Sequence, residues 1–174
     1  ANNSGVFSND ASLLLPVHSL GERYRAACWP HDTSGTDEEQ WAGYADFITV
    51  VATQADTKVR IVPTADIRAG EGVPPLQEGQ LLEVYMRASE VLQVESDNAN
   101  SADGRTDLTG SLITADKPIV VFSGNECALV PDGVKACDHI EEQLFPTHAW
   151  GVEFYVAKFE PRKTEDDLYR IIAD

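Results

Sequence analysis

Helical apolar periodicity is hard to find in this chain of 174 residues, whereas short runs of β-branched and aromatic residues recur along almost its whole length, separated by Gly, Pro, Asp and Asn. That pattern predicts an all-β fold. Asp46 to Thr53 (DFITVVAT) is nearly continuous in apolar residues and is expected to be buried on both faces, while Lys58 to Val62 alternates, with Val59 and Ile61 on one side. The four residues Gln54 to Thr57 between them suit a hairpin loop. Gln80 to Met86 and Glu90 to Glu95 read as a second hairpin. Leu108 to Thr114 and Pro118 to Ser123 read as a third strand pair, joined through Ala115, Asp116 and Lys117, with Pro118 at a strand start or an edge. Asp138 to Gln143 is the one segment that reads as a helical turn, capped by Asp138, with Ile140 and Leu144 facing inward.

Length allows one domain of ordinary size, or one domain plus a fragment of another. The expected architecture is an antiparallel β-sandwich-like unit of about seven strands, with a propeller-like or barrel arrangement as the alternative. Two connections are longer and more polar than a hairpin needs: His31 to Gln40 (HDTSGTDEEQ) and Asp97 to Asp107 (DNANSADGRTD). Loops of that kind are frequently functional. Gly70 to Gly79 (GEGVPPLQEG) is a third, rich in turn formers.

An internal repeat adds to this. Shifting the chain by 130 positions lays Leu15 to Trp29 (LPVHSLGERYRAACW) on Phe145 to Phe159 (FPTHAWGVEFYVAKF). Pro16, His18, Gly21 and Ala27 meet Pro146, His148, Gly151 and Ala157, and Tyr24, Ala26 and Trp29 meet apolar residues. A second match follows in the same order, Asp46 to Ala52 on Asp167 to Ala173, once the polar loop is shortened. The expected organisation is a lead over residues 1–14, a first β unit over 15–144, and the first strands of a second, truncated copy over 145–174. Residues 153–158 and 168–173 then either complete a sheet shared with the first unit or leave an exposed edge.

With 29 Asp and Glu against 13 Lys and Arg, the formal charge is −16, and no stretch gathers the basic residues that binding to a phosphate backbone requires. Nucleic acid is excluded as the expected partner, and an anionic membrane surface would be repelled by the same field. The longest purely apolar runs, such as Ile119 to Phe122, are far below the roughly 18 residues of a membrane span. The first residues carry neither the basic nor the apolar region of a signal peptide.

Cys127 and Cys137 bracket a loop containing Pro131, Asp132 and Gly133. A disulfide between them is the first reading, with buried free thiols the alternative. Cys28 is left over as a core thiol or the partner of a cysteine elsewhere. Cys127, Cys137 and His139 fall short of a zinc set, since no CxxC pair occurs. His139 and Glu142 would share one face of the expected helical turn, an arrangement that more often serves packing than metal. The Asp97 to Asp107 loop is acidic enough for calcium but lacks EF-hand spacing, so no cofactor is expected, with calcium the one candidate ion. Ser123, in FSGNE, lacks the frame of a nucleophile elbow, and no phosphate-binding glycine loop joins a strand to a helix.

From Asp107 onward the sequence DLTGSLITADKPIVVFSGNECALVPDGVKACDHIEEQLFP resembles the N-terminal domain family of IgG Fc-binding protein, found in vertebrate mucus proteins and many bacterial surface proteins. Asp116, Lys117, Pro118, Phe122, Ser123, Gly124, Cys127, Cys137, Asp138, His139, Glu142, Gln143 and Pro146 carry the match. Upstream the similarity is looser. The resemblance implies a secreted or cell-surface, non-enzymatic binding or adhesion module with a Cys127 to Cys137 bridge, and a protein or glycan partner, IgG Fc among the candidates. Much of the motif is expected to specify fold: Pro118 fixes a strand entry, Ile119 to Phe122 fill the core, and Gly124 lets the chain turn toward the cysteine loop. Trp41, Tyr44 and Trp150 are the candidate ligand-facing aromatics. The rival readings are a purely structural repeat and, third, a carbohydrate-active enzyme.

Overall fold

The computed structural model describes residues 11–30, 44–97, 106–131, 137–160 and 167–174. Its seven strands are β1 (Gly21–Arg25), β2 (Asp46–Ala52), β3 (Thr57–Val62), β4 (Leu82–Met86), β5 (Val91–Glu95), β6 (Leu112–Ala128) and β7 (Asp138–Gln143). All pair antiparallel in one sheet, and no α-helix occurs among the described residues. The all-β expectation holds.

The strand that organises the sheet is β6, 17 residues long. On one edge it pairs first with β3, from Leu112 to Ala115, and then with β2, from Ile119 to Asn125. On the other it pairs with β1 and then with β7. β4 adds to β3 and β5 to β2. One sheet therefore has two halves joined through β6, and a single apolar cluster draws on both: Val59, Ile61, Leu82 and Met86 from one, Ile48, Val50, Leu92 and Val94 from the other. This is how a sandwich or nearly closed barrel buries two inner faces around one core. Tyr24 sits inside it, its hydroxyl donating to the Ile119 carbonyl at 2.7 Å and accepting from the Gly21 amide at 2.8 Å.

The pairing corrects all three hairpins expected from the sequence. β2 and β3 share no ladder, and neither do β4 and β5; the two members of each expected pair belong to different halves. Leu108 to Thr114 and Pro118 to Ser123 are not two strands joined by a turn, because β6 runs straight through Ala115, Asp116 and Lys117. Pro118 is tolerated in this central strand because residues 116–118 fall between the end of the β3 ladder and the start of the β2 ladder, opposite an irregularity in β1. No ladder hydrogen bond is missing there for want of a proline N–H. Asp138 to Gln143 is strand β7 in place of the expected helical turn.

The exposed side of β5 is partly covered. Ile67 bridges Ser96 as well as Leu76, and the Arg68 amide donates to the Glu95 carbonyl at 3.1 Å. At the N-terminus, Gln143 holds the lead: its amide donates to Ser12 Oγ and its Oε1 accepts from the Leu15 amide, both at 2.7 Å.

Two short 3-10 turns, Val17–Ser19 and Thr147–Ala149, have the same build. Each follows a proline whose carbonyl accepts from the third residue on, at 2.9 Å in both. The second lies against β1 at Gly21, where a Cβ would come within 2.6 Å of Pro146 and 2.8 Å of His148. Beyond it, residues 153–158 and 168–173 were expected as strands but make no ladder. Arg170 and Asp174 tie this segment to the first 144 residues. Asp174 receives Arg23 and Arg25, both at 2.8 Å, and these guanidiniums hold its carboxyl far below the usual carboxylate range.

Candidate binding site at the loop-bearing end

The two long polar connections nominated by sequence and the loop between Cys127 and Cys137 include residues 31–43, 98–105 and 132–136, which lie outside the described residues, as does Trp41; the third nominated connection, Gly70 to Gly79, is described, and Gly70 and Val73 bridge each other within it. The residues that anchor the first two and the cysteine loop are described, and they meet at one end of the sheet.

Asp46 opens β2 and is fully buried. Its carboxylate accepts from the Leu108 amide and from Thr106 Oγ1 at 3.3 Å, and its carbonyl accepts from the Ser96 amide at 3.0 Å. Thr106 Oγ1 is also paired with Ser96 Oγ at 2.9 Å. One acid thus fastens both ends of the 97–106 connection to the first residue of β2. Burial pushes its carboxyl up from the ordinary value, and the hydrogen bonds from Ser96 and Leu108 oppose that shift without cancelling it.

The end of the first connection is fastened next to it. After β1, residues 26–30 cross from the beginning of β6 to its second half. The Ala26 amide bonds Ser111 at 3.0 Å, while Ala27 bonds Ser123, and Asn125 Nδ2 donates to the Trp29 carbonyl at 2.8 Å. Trp29 Nε1 reaches the Leu129 carbonyl at 3.1 Å. Where the chain re-enters, the Glu126 amide donates to the Ala45 carbonyl at 3.0 Å, which places half-buried Tyr44 at the same end.

Cys127 and Cys137 close the third connection as a disulfide, with Cα atoms 5.0 Å apart. The bridge expected from the sequence is present. Cys28 is a buried free thiol whose Sγ lies 3.5 Å from the Phe47 carbonyl, and burial raises its pKa well above the ordinary value. It is a core residue, poorly suited to reaction as a thiolate.

His139 stacks on Phe47, with ring centroids 5.9 Å apart, and its Nδ1 lies 3.3 Å from the Glu126 carbonyl. Because β7 is a strand, His139 and Glu142, three residues apart, point to opposite faces, and the expected shared helical face does not exist. Glu141 is the carboxylate on the histidine's side, at 3.8 Å. Asp138 Oδ1 accepts from the His139 amide at 3.0 Å. Among the described residues no group of three His, Cys, Asp or Glu is placed to hold a metal ion.

The remaining motif residues hold the frame. Asp116 Oδ1 accepts from the Lys58 amide at 2.8 Å, Lys117 Nζ donates to the carbonyls of Ala55 and Asp56, the latter at 3.0 Å, and the Pro118 carbonyl accepts from Thr53. Together they clamp the β2 to β3 turn, where Asp56 takes a φ of 53°. Phe122 is half-buried between Thr49 and Gln143. Gly124 does not turn the chain, as the sequence suggested. It lies within the β6 to β7 ladder, and a Cβ there would overlap the Ile140 carbonyl. Trp150 is not at the loop end: it follows the second 3-10 turn, donates to the Phe145 carbonyl at 3.2 Å, and lines a cleft with the C-terminal segment. Sequence reasoning missed Asp46, Trp29 and Asn125, whose roles depend on pairing across 60 to 100 positions.

The sequence profile of a family described as IgGFc binding protein matches residues 10–174. A human protein named IgGFc-binding protein is 31% identical over 147 residues, covering 84% of this chain and 2% of its own length. No solved structure matches.

Proposed function

The chain belongs to the IgGFc-binding protein family, and from that premise we propose that it is a non-enzymatic, secreted or cell-surface module that recognises a protein or glycan through the connections at one end of its sheet. The observation that carries the reading is that the anchors of three long connections meet at one end of the sheet. Asp46 pins the second, Asn125 and Trp29 the first, and the Cys127 to Cys137 bridge the third. Loops of variable polar sequence on a fixed β frame are a common way to build a recognition surface.

The disulfide supports an oxidising compartment, and no described helix is long and apolar enough to cross a membrane. IgG Fc is the first ligand to test, because the human relative is named for it. The chain spans only 2% of that relative, so Fc binding comes to this chain as a proposal.

Purified, oxidised protein is passed over immobilised IgG Fc and over a panel of mucin glycans, with calcium and with chelator. The reading expects saturable binding to one of these, lost when residues 98–105 are replaced by Gly and Ser and retained when Trp150 is replaced by Ala. Binding that survives the loop replacement would move the site elsewhere. Silence from a folded sample across the panel would favour a purely structural repeat.

A further inference from the structure

The fold explains why residues 151–160 and 167–174 make no ladder. In the first unit β1 and β2 never pair with each other; β1 lies on one edge of β6 and β2 on the other. A segment equivalent to β1 plus β2 has no ladder to make until a β6-type strand enters between them. Residues 151–160 and 167–174 match that state. They hold no strand, and Phe154, Tyr155 and Ile171 are 73%, 91% and 90% exposed, although Tyr24, at the repeat position of Phe154, is completely buried. Between the two stretches is an open cleft of about 770 Å³, lined by Phe145, Trp150, Phe154, Val156, Tyr169 and Ile171. Contiguous exposed apolar surface of this kind marks an interaction site.

The junction with the first unit is already built. The second Pro-x-His turn copies the first in shape and seats on Gly21. The repeat puts Gly151 in the place of Gly21, and a Cβ at Gly151 would meet nothing closer than 3.5 Å.

We propose that residues 145–174 form the opening of a second copy of the unit, that their apolar face takes a β6-type strand supplied by that copy within the same polypeptide, and that Gly151 receives the Pro-x-His turn of the copy after it. Units then follow head to tail, each seated on the glycine of the one before. Another molecule of this chain does not fit as the donor, because its β6 is occupied on both edges by β1, β2, β3 and β7.

Hydrogen exchange of amides 153–158 and 168–173 is compared between the 174-residue chain and the polypeptide carried on by about 120 residues past Asp174. In the shorter chain these amides should exchange within about tenfold of unfolded rates, and in the longer one more than about a hundredfold slower. Strong protection in the monomeric short chain, or its absence in the long one, would overturn the proposal. Protection that grows with concentration alongside dimerisation would overturn it too, as self-pairing. The double change Phe154→Ser and Ile171→Ser should leave the melting temperature of the short chain unchanged and lower that of the long one; the reverse would assign the segment to the first unit.

Discussion

The Ser123 hydroxyl donates to the Ala27 carbonyl at 3.1 Å and accepts from the Ala27 amide at 3.0 Å. A single side chain thus does for Ala27 what a neighbouring strand would do, satisfying both backbone groups where residues 26–30 cross between the halves of the sheet. The serine of the FSG motif is therefore a building element of the loop-bearing end.

Replacing it tests that role. Ser123→Ala leaves the Ala27 amide and carbonyl without their partner, and the expected loss is about 1–3 kcal/mol. Chemical denaturation of the purified variant reads it. An unchanged midpoint would mean that water takes over both bonds and that the crossing does not depend on Ser123.

Gly124→Ala should be more severe. The added Cβ would overlap the Ile140 carbonyl, so β7 must move away from β6 or the ladder must break. A loss beyond about 4 kcal/mol or failure to express folded protein is expected. Gly72→Ala is a useful contrast: nothing lies within 4 Å of a Cβ there, and only its φ of 73° opposes the change. A cost of about 1 kcal/mol is expected.

The Cys127 to Cys137 bridge closes a loop with a sequence separation of 10. The chain-entropy argument gives it about 2.7 kcal/mol. The double change to Ser should lower stability by that order while leaving the core spectroscopically intact. If it also abolishes the binding proposed above at temperatures where the protein remains folded, the third connection belongs to the recognition surface.

Asp46 predicts a pH signature. Its folded pKa is raised, chiefly by burial, above the 3.8 of an ordinary aspartate. A raised value means that the folded state holds the proton more tightly than the unfolded one. Its contribution to stability is full below 3.8 and is lost as pH rises through the folded value. Asp46→Asn removes this titration while keeping an oxygen for the Leu108 amide. Denaturation midpoints across that range should fall less steeply with rising pH in the variant than in the parent. Parallel curves would show that the group does not titrate there.

Much of the strand content was legible in the sequence, because alternation reports which side chains face a core. Val59 and Ile61, Leu82 and Met86 are buried as the period of two requires. The pairing was not legible, since a neighbour in sequence is the natural partner only when the turn between two strands keeps them in one half of the sheet. Asp116, Lys117 and Pro118 read as a turn because their composition is that of one, yet they mark the place where β6 changes partners and needs no ladder bond. Asp138 to Gln143 read as helical because its polar residues hide the alternation of a strand whose two faces are both partly wet. Of the site, the disulfide was within reach of sequence and Asp46 was not. The only sign it offered was an acidic residue opening an otherwise apolar strand.

The position of β6 between the two halves of the sheet has a consequence for how the protein is made. Tyr24 finds its partner Ile119 only 95 residues later, so on a ribosome adding about 5–20 residues per second, β1 waits roughly 5 to 20 s for the strand that will hold it. During that interval the apolar faces of β1 to β5 have emerged without the one strand that links the two halves. A premature stop before residue 112 would leave the β3–β4 and β2–β5 pairs without the strand that joins them into one sheet.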